Sequence, residues 1–310
     1  MTGQSIVIDT DPGQDDAVAI LLALALPDRF DVRAITAVAG NVAVPLTTSN
    51  ALRIVELAQR PDIQVHTGCA APMVLPLETA DFVCGPDGLD GADLPPPTAL
   101  PHETHAVEAL ITLLRTQPSR SITICALGPL TNIALALRLA PDIAERIEAI
   151  VVMGGAMGLG NITPAAEFNV YVDPHALAVV LGAGLKLTLI GLHLTLKAIA
   201  TPIHIERLRD LGTNTARAVH GMLTRSRSAD LGSVGHPMHD VCVIGFLAWP
   251  ELFTGRDCFV EVETTAGPLR GRTTIDWHGR TRRPTNCHVL DGIDADIFFN
   301  RLIDALASLP

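Results

Sequence analysis

Four aspartates crowd the start of this chain, in Ile6-Val7-Ile8-Asp9-Thr10-Asp11-Pro12-Gly13-Gln14-Asp15-Asp16. Carboxylates in contact repel, and without a neutralising partner one of them is forced to take up a proton. A divalent cation is the economical partner, and hard oxygen donors favour calcium or magnesium. The run Ile6-Val7-Ile8 reads as a buried strand over residues 5–10. Side chains alternate along a strand, so Asp9 and Asp11 point the same way at its carboxyl end. Pro12-Gly13 then turns the chain, and the apolar run from Ala17 to Leu26 is helical by propensity. Asp15 and Asp16 fall in that helix's first turn, where its positive end stabilises them. Helix capping accounts for one such side chain and leaves the others unexplained.

Strand and helix signals alternate through the first two-thirds of the chain. Strands are expected at 32–39, 63–67, 121–127, 147–153 and 186–189, with helices at 48–59, 106–116, 131–140 and 176–182. Repeated strand–helix units imply an α/β fold, an open, mostly parallel sheet with helices on both faces. Ligands bind beyond the carboxyl ends of such strands. Asp11, Asn41, Leu127 and Met153 all stand at strand ends, so distant segments converge on one rim. Residues 69–101 hold seven prolines and three glycines and read as a long functional loop. A flap is expected at about 212–238, and a β-hairpin rich in arginine at 259–283 reads as a solvated edge or a subunit contact. No low-complexity linker divides the chain, and one domain spanning 1–310 is expected.

With 33 acidic against 22 basic residues the net charge is −11, which argues against nucleic acid or an anionic membrane as partner. The six cysteines include no Cys-x-x-Cys pair, so a structural zinc site is not indicated. Reduced thiols, and an N-terminus without a basic leader, fit a cytoplasmic location.

The segment Asp-Thr-Asp-Pro-Gly-x-Asp-Asp-Ala resembles the N-terminal signature of the inosine–uridine-preferring nucleoside hydrolases. Later motifs follow in that family's order: Val38-Ala39-Gly40-Asn41, Leu127-Gly128-Pro129-Leu130-Thr131-Asn132, Val152-Met153-Gly154-Gly155, Glu167-Phe168-Asn169, His239-Asp240 and Asn286-Cys287. The resemblance covers nearly the whole chain. It implies a Rossmann-like nucleoside hydrolase fold and calcium-dependent hydrolysis of the N-glycosidic bond of ribonucleosides, giving ribose and free base through an oxocarbenium-like transition state.

The resemblance also implies roles. Asp11, Asp16, Asp240 and the main-chain carbonyl of Leu127 match calcium ligands, and Asp11 matches the general base that activates the metal-bound water. Asp9 matches an outer acceptor that holds its neighbours. Asp15 and Asn41 match residues on the 2′ and 3′ hydroxyls of ribose, Glu167 and Asn169 those on the 5′ hydroxyl, and Met153 a residue packed below the sugar. His239 matches a residue near the leaving base, and imidazole titrates close enough to neutrality to donate a proton. The family likeness suggests a homodimer or homotetramer acting on a small ribonucleoside.

The base pocket departs from the family pattern. Cys84-Gly85 stands where members often carry His-Gly, and a thiol is a poor substitute for imidazole as a hydrogen-bonding platform. The flap offers Arg225 and Arg227 in place of tyrosines, and His236 is a further base contact. Guanidinium groups stack on bases and donate to their carbonyl oxygens. Two rival readings stand beside this one. A haloacid-dehalogenase-type phosphatase also opens with a strand and Asp-x-Asp, and a non-catalytic member of the nucleoside hydrolase family would bind without turnover.

Overall fold

The computed structural model describes residues 3–225 and 235–310. Strand β1 (Gln4–Thr10) leads into α1 (Gln14–Ala25), and β2 (Phe30–Ala37) into α2 (Val44–Leu57). After the short β3 (Val65–Thr67) a long irregular stretch carries the single turn α3 (Asp81–Cys84). Next come α4 (Ala106–Thr116), β4 (Ile122–Ala126), α5 (Thr131–Leu139) and β5 (Ile147–Met153). They are followed by α6 (Phe168–Val172), α7 (Pro174–Leu181), β6 (Leu187–Ile190) and α8 (Leu192–Thr195). The C-terminal third opens with β7 (Ile199–Ala200), α9 (Pro202–Asp210), α10 (Asn214–Arg225), β8 (His236–Pro237) and α11 (Val241–Ala248). It ends with β9 (Phe253–Cys258), β10 (Val260–Val262), β11 (Thr273–Ile275), β12 (Cys287–Ile293) and α12 (Ala295–Leu306).

Eight strands form one sheet in the order β3-β2-β1-β4-β5-β6-β12-β9. Neighbours from β3 to β12 run parallel, and β9 pairs antiparallel with β12 at the far edge. Alternation in β1 sends its side chains to two different cores. Ile6 and Ile8 join α1, α2, α11 and α12 on one face, whereas Val7 joins α4, α5 and α7 on the other. The expected layering is therefore present, with both faces of the sheet buried.

Several boundaries differ from expectation. Helix α2 starts at Val44, because Pro45 sits in its first turn, where a missing N–H costs nothing. The sheet gains β9 and β12, for which the sequence offers little pattern: the four central residues of β9 are solvent-exposed. The arginine-rich segment does form an antiparallel hairpin, β10 with β11. Only part of it is solvated, since Arg270 and Thr273 are each 7% exposed. Among the described residues, no helix is long and apolar enough to cross a membrane.

Candidate active site

The order of strands reverses between β1 and β4: the chain builds outward through β2 and β3 on one side, then through β5 and β6 on the other. A crevice opens at the carboxyl ends of strands at such a switch point. Asp9 and Asp11 leave β1 there, and Leu127 follows the end of β4, its N–H donating to the Asp9 carbonyl at 2.7 Å.

Asp9 is fully buried under the crevice. Its Oδ1 accepts from Thr36 Oγ1 at 2.5 Å and Asn132 Nδ2 at 2.8 Å, while its Oδ2 has no hydrogen-bond partner. Burial pushes its carboxyl up to about 7, against the pull of those two donors. Asn132 also donates to the Ala37 carbonyl at 3.1 Å and accepts from the Cys69 N–H at 2.9 Å, so one amide ties β1, β2 and the start of the long loop together.

Asp11 is held tightly. Its Oδ2 accepts the Asn41 N–H at 2.7 Å, and its Oδ1 is buried with no partner. An added Cβ at Gly40 would overlap Oδ2, and one at Gly128 would overlap Oδ1. Both glycines are thus required for the carboxylate to fit, which gives the Gly-Asn and Leu-Gly-Pro segments a steric reason. Burial, then the like charge of Asp16, raises the Asp11 carboxyl well above the usual carboxylate range.

Asp16 sits in the first turn of α1. It accepts from Thr10 Oγ1 at 2.6 Å, the Gly13 N–H at 3.0 Å and Asn41 Nδ2 at 3.3 Å. Burial and the charge of Asp15 push it up to about 6. Asp240, at the amino end of α11, is buried with Oδ1 unpartnered, and burial with the neighbouring aspartates raises it well above its usual range. Oxygens of Asp15, Asp16 and Asp240 lie within 4.8 Å of one another. The charges that raise Asp11 and Asp240 are those of other aspartates, all of one sign.

This donor set fits a hard divalent cation. All the side-chain donors are carboxylate oxygens, two of them are buried and unpartnered, and their mutual repulsion is what a cation relieves. Of the expected ligands, Asp16 and Asp240 belong to this group, and Asp15 is its third member. Asp11 stands against Asp16, and the Leu127 carbonyl accepts from Asn169 Nδ2 at 2.6 Å.

Above the carboxylates lies a cavity of about 260 Å³. Asp15, Asn41, Cys84, Leu127, Met153, Glu167, Asn169, His236, His239 and Asp240 all line it. Asn41 donates through Nδ2 to the Asp11 carbonyl at 3.1 Å, and Cys84 Sγ approaches Asn41 Oδ1 at 3.6 Å. Glu167 caps α6, accepting the N–H groups of Asn169 at 2.8 Å, Gly155 at 2.9 Å and Val170 at 3.1 Å. Burial nevertheless pushes its carboxyl up to about 7. Asn169 bridges the ends of two strands through Leu127 and the Met153 carbonyl, the latter at 3.3 Å.

His239 is held by Thr195 Oγ1, 2.7 Å from its Nδ1. Burial lowers it to about 4, so the ring is neutral at pH 7, contrary to the expectation of a group titrating near neutrality. Arg225 does not line the cavity: it ends α10 with Nη1 3.6 Å from Asp90 Oδ1. Arg227 lies outside the described residues, as does part of the expected flap. Sequence reasoning missed the apolar wall, formed by Ala80, Phe82, Val83, Ile162, Phe168 and Leu223. Phe82 is 58% exposed, and nothing in the sequence marks it as part of this wall.

The family model described as inosine-uridine preferring nucleoside hydrolase matches residues 6–300. The chain belongs to the inosine–uridine-preferring nucleoside hydrolase family. A pyrimidine-specific ribonucleoside hydrolase, RihA, of Shewanella sp. (strain MR-4) is 43% identical over 97% of this chain and 96% of its own. A solved plant nucleoside hydrolase superposes with a TM-score of 0.91 at 31% identity, covering 98% of this chain and 99% of that one. A purine-preferring ribonucleoside hydrolase from Gardnerella vaginalis gives a TM-score of 0.90 at 28% identity, with 98% of each chain covered. The relatives so named act on N-glycosyl bonds. Membership in the nucleoside hydrolases removes the phosphatase reading of the Asp-x-Asp start.

Proposed function

We propose that this nucleoside hydrolase cleaves the N-glycosidic bond of ribonucleosides, with pyrimidine ribonucleosides preferred, in a calcium-dependent reaction. One observation carries the reading. Carboxylates from α1 and from the start of α11 cluster at a cavity whose walls supply Asn41, Glu167 and Asn169, with Asp11, from the end of β1, buried against Asp16. The name of the 43%-identical relative supports the pyrimidine preference.

Asp11, Asp16, Asp240 and the Leu127 carbonyl would hold the calcium ion, with Asp15 beside them. Bound there, the ion would lower the pKa of water and offset part of the cluster's negative charge. The chain's own groups do the rest. Asp11 accepts the proton of the attacking water at Oδ1, the oxygen that no protein group occupies. Asp9, unreachable beneath it, holds the ends of β1 and β2 through Thr36 and Asn132. Asp15 and Asn41 receive the 2′ and 3′ hydroxyls, and Glu167 and Asn169 the 5′ hydroxyl. Met153 packs below the ring. The fixed negative charge of the floor favours the cationic sugar of the transition state over the neutral substrate.

His239 is neutral, so it serves the leaving base as a hydrogen-bonding group rather than as an imidazolium acid. The apolar wall and Cys84 exclude water from the base. A panel of purine and pyrimidine ribonucleosides, scored for free ribose, tests the reading. Release of ribose fastest from uridine or cytidine is expected. Calorimetric binding of nucleosides with no ribose released would favour the non-catalytic alternative.

A further inference from the structure

We infer that Arg270, on the C-terminal hairpin, is a positioning residue for the sugar-binding wall, acting through the one-turn helix α6. The inference rests on the reading that Glu167 and Asn169 receive the 5′ hydroxyl.

Helix α6 has five residues, Phe168–Val172. A helix that short is unstable by itself, because nucleation costs more than one turn of hydrogen bonds returns. Its existence therefore depends on what binds its ends. At the amino end the Glu167 carboxylate accepts two of its free N–H groups. At the carboxyl end Arg270 does the complementary work. Its Nε donates to the Tyr171 carbonyl at 2.9 Å and its Nη2 to the Val172 carbonyl at 3.3 Å. An anion at the start and a cation at the end both match the helix dipole.

The same guanidinium reaches the loop that leads into the apolar wall of the cavity. Nη1 donates to Glu78 Oε1 at 2.7 Å, and the Tyr171 hydroxyl lies 3.1 Å from each oxygen of Glu78. The guanidinium also stacks 4.0 Å from the Tyr171 ring centre. Glu78 is two residues before Ala80, which lines the cavity and packs in a small apolar cluster with Phe168 and Val172. Arg270 thus joins the loop that carries the base wall to the helix that carries Asn169. It is buried with Nε, Nη1 and Nη2 each used, which a lysine cannot reproduce. The hairpin backbone is seated on the same helix: Gly271 has φ +75, and a Cβ there would lie 2.6 Å from the Tyr171 Cα.

The test compares wild type, Arg270→Ala and Arg270→Lys in two readouts. One is amide hydrogen exchange over residues 167–173. The other is the ratio of kcat/KM for uridine to that for 5′-deoxyuridine. Arg270→Ala should speed exchange in that segment and lower the ratio at least threefold, with KM rising more than kcat falls. Arg270→Lys should fall between the two, and it decides the matter should the alanine variant fail to fold. Unchanged exchange, or an unchanged ratio in a folded variant, would overturn the inference. A wild-type enzyme that does not distinguish the two nucleosides would overturn the sugar-binding reading, and the inference with it, even where exchange responds.

Discussion

Asn41 grips Asp11 twice, donating its backbone N–H to the carboxylate Oδ2 at 2.7 Å and its side-chain Nδ2 to the main-chain carbonyl at 3.1 Å. The hold fixes which carboxylate oxygen is left over. Oδ1 remains buried and unpartnered, and this is the atom assigned to the water's proton. Asp11→Asn should therefore lower kcat by about 10²–10⁴-fold, the usual worth of general-base catalysis. Thermal unfolding of metal-free protein should show a melting temperature at or above that of wild type, because the substitution removes one ionisable group from a repelling cluster. A variant with near wild-type kcat would remove Asp11 from its assigned role.

Gly128 offers a steric test of the same atom. A methyl group at this position would overlap Oδ1 of Asp11 and lie 3.1 Å from its backbone nitrogen. Gly128→Ala should cost about 1–3 kcal/mol of stability, the range for overpacking a tight site. The loss of turnover should be far larger than that loss of stability implies. Denaturant melts and steady-state kinetics on one preparation check both.

The floor of the site makes folding depend on pH in a stated direction. Burial raises Asp9 from 3.8 to about 7, and Asp16 to about 6. The folded state then holds these protons more tightly than the unfolded chain. Their contribution to stability is fully present below about pH 4 and is lost as pH rises through 6 and 7. Each tenfold gain in proton affinity on folding is worth about 1.4 kcal/mol. In metal-free protein the melting temperature should fall between pH 5 and pH 8. Added calcium should flatten that slope, since a bound cation replaces the proton as the neutralising charge. A melting temperature that rises over this interval in the metal-free protein would contradict the placement of these carboxylates.

Asn132 is the structural keystone under the site. Asn132→Ala would leave Asp9 Oδ1 with Thr36 alone and would strip partners from the Ala37 carbonyl and the Cys69 N–H. An unsatisfied buried polar group costs about 1–3 kcal/mol. A drop in melting temperature larger than that for Gly128→Ala is expected, measured by differential scanning calorimetry.

Much of this was legible in the sequence because the information is local. Ile6, Val7 and Ile8 alternate between two cores, and the aspartates follow at once, so one short segment announces both a central strand and its charged end. The edge of the sheet was not legible. In β9, Thr254, Gly255, Arg256 and Asp257 are exposed and carry no alternating pattern, and their pairing with β12 links segments distant in sequence. The apolar wall of the cavity was also hidden, because Phe82 and Phe168 look like any other aromatic residue until the loop and α6 are brought together. Arg270 is one of five arginines in its hairpin, and nothing next to it marks it as the buried one. His239 was visible as a residue, but its neutrality depends on burial that only the fold supplies.

The central claim is that carboxylates of distant segments hold a divalent cation on which turnover depends. The most direct measurement is ribose release from uridine by one enzyme preparation, before treatment, after chelation and dialysis, and after calcium is returned. Activity should disappear on stripping and return with calcium in proportion to occupancy. Undiminished ribose release from protein shown by elemental analysis to contain no divalent metal would contradict it.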